Sequence, residues 1–99
     1  MTIRGKSPVT GSFVKVVVDI ERKILAAGCD LHFDCAEELL VDGSKSEHLW
    51  GANIYPETGK IDFISLINIR PSAGNRVMEI QKPDIKASVE RVIKDLLFS

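Results

Sequence analysis

Between Phe13 and Ile20 the chain alternates, with Val14, Val16, Val18 and Ile20 on one side and Phe13, Lys15, Val17 and Asp19 on the other. A period of two in β-branched residues predicts a strand, because such side chains fit a pleated surface and lose rotamers in a helix. Glu21, Arg22 and Lys23 interrupt the run and Ile24 to Cys29 resumes it, with Gly28 and Asp30 marking its end. This reads as an antiparallel hairpin, although its turn lacks the usual Asn-Gly pair. One helix over residues 13–27 is the alternative, and Val16, Val17, Val18 and Ile20 weigh against it.

A second hairpin is expected from Leu49–Tyr55 and Ile61–Arg70 around Pro56-Glu57-Thr58-Gly59-Lys60, whose proline and glycine form turns. Trp50, Ala52 and Ile54 make the apolar side of one strand, and Ile61, Phe63, Ile67 and Ile69 that of the other. Pairing Ile54 with Ile61 puts both sets on one face. The opposite face then carries Asn53, Tyr55, Asp62, Asn68 and Arg70 with Leu49, Ile64 and Leu66, a mixed surface that differs from a purely solvated one.

Asp34 and Glu37 have the spacing of a capping box, which predicts a short helix starting after Asp34, with Ala36, Leu39 and Leu40 as its apolar stripe and Gly43 at its end. Pro83 and Asp84 suit a first helical turn, and Ile85, Val89, Val92, Ile93, Leu96 and Leu97 repeat at three- and four-residue spacing. Residues 1–12, with Gly5, Pro8 and Gly11, read as a flexible arm. The expectation is therefore one α+β domain over residues 13–99: a four-stranded antiparallel sheet from two hairpins, a short helix between them, and a C-terminal amphipathic helix packed on the sheet.

Ninety-nine residues, 44% hydrophobic and 27% charged, leave room for one domain with a thin core. A thin core and the Leu49, Ile64 and Leu66 surface favour a homodimer. Thirteen Lys and Arg against fourteen Asp and Glu give a net charge of −1, which argues against nucleic-acid binding. The one asymmetry is acidic: Asp30, Asp34, Glu37, Glu38, Asp42 and Glu47 face only Lys45. No apolar run has the length of a signal peptide or a membrane span, so Cys29 and Cys35 are expected as reduced thiols in a cytoplasmic protein.

Three segments stand out together: Leu39-Leu40-x-Asp42-Gly43-Ser44, then Leu49-Trp50-Gly51-x-Asn53-Ile54-Tyr55-Pro56, then Ile67-Asn68-Ile69-Arg70-Pro71-Ser72-x-Gly74-Asn75. With them the chain resembles a family of small prokaryotic proteins of unknown function, from about Val14 to Leu97. That family carries no assigned activity, so the resemblance implies a shape of sequence and no chemistry. Its members usually begin with a helical segment where this chain has its arm.

No spacing matches a nucleophile elbow, a phosphate loop, a dinucleotide fingerprint or a closed zinc site, which leans against an enzyme. The sharpest candidate is a ligand site at Arg70, Asn75 and Arg76, joined by Asn53, Tyr55 and Asn68, because a planar guanidinium offers paired donors to a carboxylate or phosphate. Its structural counterpart is an arginine that satisfies loop carbonyls. A second candidate is a weak calcium or magnesium site at Asp30, His32, Asp34 and Glu37, with hydrolytic chemistry at His32 and Asp34. Against it, Asp34 serves as a cap, His32 lies in a loop, and the calcium-loop pattern is missing. Zinc on Cys29, His32 and Cys35, or a nucleophilic Cys35 with His32 as base, has the right ligand chemistry without the right spacing. The sequence thus favours a binding or interaction module for a small anionic ligand or a protein partner, with no cofactor required and no membrane involved.

Overall fold

The computed structural model describes residues 1–5 and 9–98. Strand β2 (Val14–Asp19) lies at the centre of a five-stranded antiparallel sheet of order β1-β3-β2-β4-β5. Val16, Val17 and Val18 are all fully buried, as a strand covered on both faces requires. β3 (Ile24–Ala27) pairs with it from Asp19↔Ile24 to Val16↔Ala27. The turn between them is organised by Asp19, whose Oδ1 accepts from the amides of Glu21 and Arg22, both at 2.9 Å. This side-chain turn replaces the absent Asn-Gly pair. On the other flank β4 (Leu49–Tyr55) pairs from Asp19↔Leu49 to Val14↔Ile54, and β5 (Lys60–Asp62) pairs with β4 through Ile54↔Ile61, the register expected from the hydrophobic pattern.

Two helices cover opposite faces. Helix α2 (Pro83–Leu97) lays Val89, Val92, Ile93, Leu96 and Leu97 over Val16, Val18, Trp50, Ala52 and Ile54. Helix α1 (His32–Val41) seals the other face, where Cys35 and Leu39 meet Val17, Ile24, Ala26 and Leu49. Its end matches the sequence reading: Gly43 takes φ +106°, and the amides of Gly43 and Ser44 return to the carbonyls of Leu40 and Leu39. No helix among the described residues is long and apolar enough to cross a membrane.

The structure corrects the sequence reading in several places. The sheet has five strands because Thr2–Ile3, placed in the arm, form β1 against Leu25 and Ala26, burying Ile3; residues 6–8 of that arm lie outside the described residues. Helix α1 begins at His32, so Asp34 does not cap it. The cap position belongs to Leu31, which makes no side-chain bond, and Asp34 sits inside the first turn, where its charge suits the helix dipole. Leu49 is buried beneath α1 and contributes nothing to an exposed apolar surface.

The largest correction concerns Ile61–Arg70. Pairing ends at Asp62, and the chain then forms short 3-10 turns at Leu66–Asn68 and Pro71–Ala73. The reason is Gly51. Without a side chain it leaves a hollow on β4 that Ser65 and Ile67 fill. Ile67 thereby packs on the α1 face and Ile69 is left exposed, while Ile61 and Phe63 keep the α2 face as expected.

This close approach generates a prediction. A Cβ at position 51 would lie 2.5 Å from the Ser65 Cβ. Gly51→Ala should cost about 1–3 kcal/mol through overpacking, read as a lower urea midpoint. An unchanged midpoint would show that the turn can retreat freely.

Candidate functional site

Where β5 stops, the outer edge of β4 still needs partners, and the polar loop supplies them. The Asn68 carboxamide lies against Gly51 like a strand residue: its Oδ1 accepts from the Gly51 amide at 2.8 Å, and its Nδ2 donates to the Gly51 carbonyl at 2.9 Å. Arg70 does the same further along, donating to the carbonyls of Leu49 at 2.8 Å and Glu47 at 3.1 Å, with its guanidinium 4.6 Å from the Trp50 ring centre. Burial lowers the Arg70 pKa from its ordinary value.

Asn75 is fully buried and ties the loop together. Its Nδ2 donates to the carbonyls of Asn68, Val77 and Glu79, and its Oδ1 accepts from the Gln81 amide at 2.7 Å. Gly74, at φ +78°, lets the chain reverse so that Arg70 and Asn75 bridge. Arg76 is exposed, and its amide donates to the Gln81 side chain. Tyr55 packs edge-on against Phe13, with ring centres 5.4 Å apart.

Asn53 and His32, assigned to different candidates in the sequence, meet in one cleft. The register Lys15↔Asn53 places both residues on the α1 face, at the point where α1 begins. With His32, Ser65 and Ile67 they line a cleft of about 240 Å³, rimmed by Leu31, Phe33, Ile64, Leu66 and Met78, all of them exposed. His32 is half-buried in the first turn of α1, where the sequence reading had a loop residue. Its Nε2 lies 2.9 Å from the Ala52 carbonyl, which can only accept, so the neutral ring carries its proton on Nε2 and leaves Nδ1 as an acceptor. Asn53 Nδ2 donates to the Ile64 carbonyl at 3.3 Å, while its Oδ1 is shielded and without a partner. Lys15 forms no ion pair among the described residues; its ammonium lies 5.1 Å from the Phe13 ring centre.

The carboxylates do not converge on this cleft. Asp30, Asp34 and Glu37 are exposed, and among the described residues no three His, Cys, Asp or Glu side chains stand close enough to hold a metal ion. Asp42 instead pairs with Arg4 and Arg22, which fixes the far end of α1 to the residue after β1 and to the turn of the first hairpin. The expectation of reduced thiols is corrected as well: Cys29 and Cys35 are joined in a disulfide, with Cα atoms 5.8 Å apart. The end of β3 and the first turn of α1 bring them together. A sulfur in that bond is neither a zinc ligand nor a nucleophile.

Burial holds the His32 pKa below the ordinary 6.5; the Ala52 carbonyl opposes this, the positive Lys15 reinforces it, and Asn53 opposes it. The unfolded chain therefore binds more protons than the folded one between the folded pKa and 6.5, so this residue's contribution to stability falls as pH drops through that window and is constant above it. His32→Gln should flatten the difference between urea midpoints at about pH 7.5 and 5.5; an identical pH dependence in the two proteins would contradict the burial of this ring. Arg70→Ala should lower stability by about 1.5–3 kcal/mol, the range for hydrogen bonds to charged groups, whereas Arg76→Ala should stay within about 0.5. Equal melting of all three proteins would refute the structural role given to Arg70.

Comparison with curated proteins and with solved structures returned no match. A sequence profile of proteins of unknown function does match, over residues 2–96. The span takes in both hairpins, the cleft and nearly all of α2, and on it the chain belongs to the DUF5674 family.

Proposed function

We propose that this protein is a small binding module whose site is the cleft between the start of α1 and the second hairpin, and that its ligand is a small amphipathic anion. The observation that carries this reading is the convergence of five exposed apolar side chains on one concavity with a single cation. Phe33 and Leu66 are each 60% exposed, and Leu31 is 58% exposed. Large apolar side chains gathered around a cleft mark a place where something is bound.

Chemistry narrows the ligand. Lys15 offers a charged donor to a carboxylate head, and the rim offers an apolar surface to an aliphatic or aromatic body. A volume of about 240 Å³ lies below the range of drug-sized sites, ~300–1,000 Å³, which suits a short molecule. On this reading the Arg70 to Arg76 loop serves the site indirectly, by holding Ile64, Leu66 and Met78 in place.

Titration with octanoate, followed by backbone amide NMR, tests the proposal. Shifts should centre on Lys15, Leu31 to Phe33, Asn53, Ile64 to Leu66 and Met78, and Lys15→Ala should weaken binding by about twofold to fivefold, the loss of one half-exposed ion pair. Shifts spread evenly over the molecule, or none, would overturn it. Shifts at the same residues that depend on protein concentration without octanoate would instead assign the rim to a second copy of the chain.

A further inference from the structure

Three of the cleft residues, Leu31, His32 and Phe33, lie inside the ring closed by the Cys29–Cys35 disulfide. We propose that this disulfide is a thiol-exchange site whose reduction loosens the cleft, an inference that rests on the reading of the cleft as the binding site. Access to the two sulfurs is unequal. Cys35 is fully buried on the inner face of α1, whereas Cys29 is half-buried and lines an open groove of about 330 Å³ with Phe13, Lys15 and Asp30. Lys15 lines both this groove and the cleft, and in the groove its positive charge offsets the negative Asp30 for an approaching thiolate.

The reductant is a dithiol. Its thiolate attacks the Cys29 sulfur, a mixed disulfide forms and the S–S bond breaks, and Cys35 leaves as a thiolate that takes a proton. The second thiol of the reductant then attacks the mixed disulfide, releasing Cys29, which is protonated in turn. Two electrons and two protons pass to the protein, and the reductant leaves as a disulfide.

The effect is local because α1 is held differently at its two ends. Its far end is anchored by Leu39 in the core and by Asp42 on Arg4 and Arg22. Its first turn has no side-chain cap; Cys35 at the end of that turn packs in the core, and the residues before it are tied by the disulfide and by the bond from His32 to the Ala52 carbonyl. Breaking one tie leaves Leu31, His32 and Phe33 on a turn that frays, because unsatisfied amides at a helix start are stabilised by caps or constraints.

The test compares the full chain purified without reductant and after treatment with dithiothreitol. Thiol titration of the unfolded chain should find no thiol before treatment and two after it. Amides of residues 34–36 should exchange about tenfold faster in the reduced protein while those of Val17 and Ala52 change less than about twofold, and Cys29→Ser with Cys35→Ser should reproduce the reduced pattern in air. Octanoate should bind the reduced form at least about threefold more weakly. Two free thiols in the untreated protein, exchange faster to the same degree throughout the sheet, or equal octanoate affinity in both forms would each overturn the inference. If octanoate binds neither form, the reading of the cleft fails, and the exchange pattern alone then decides whether the disulfide governs the turn.

Discussion

The outer edge of β4 is the constraint around which the second half of the chain is arranged. Its backbone groups must be paired, and β5 pairs with only Asn53 to Tyr55. Gly51 and Leu49 are satisfied instead by side chains, the Asn68 carboxamide and the Arg70 guanidinium. Both are delivered by a loop that Asn75 holds from within. Because that loop also carries Ile64, Leu66 and Met78, the wall of the cleft inherits its position from the pairing of a strand edge.

The legible part of the sequence lies in its periods and its punctuation. The alternation from Phe13 to Ile20, the three- and four-residue spacing of α2, the glycine after α1 and the Ile54↔Ile61 register all rest on local patterns that tertiary structure left intact. The strand expected over Ile61–Arg70 had the same alternation and failed at Asp62, because the hollow at Gly51 draws Ser65 and Ile67 inward. No window centred on Ile67 contains that information, since its cause lies on another strand. Asp34 misled for a related reason: a capping box is a local pattern, and the disulfide and the His32 bond set the start of α1 further upstream.

The cleft was half visible. His32 and Asn53 each drew notice, but for separate chemistries, and only the Lys15↔Asn53 register together with the entry of α1 over β4 puts them side by side. Lys15 gave no signal beyond a polar position in an apolar strand, and the rim residues gave none, since an exposed leucine is ordinary until several share a concavity. The expectation of reduced thiols rests on the cellular compartment, an argument about surroundings that does not bear on the distance between two side chains.

The sheet is wide but its margins are short. β1 is two residues long on one side and β5 three on the other, with Lys60 opening the latter. An edge of that length offers too few free amides and carbonyls for another chain to extend the sheet by strand addition, and a lysine there discourages it further. Strand addition at the margins is thereby disfavoured, which leaves the faces of the sheet as the surface on which a partner would be selected, by shape and charge and not by the backbone pairing that any extended peptide can provide.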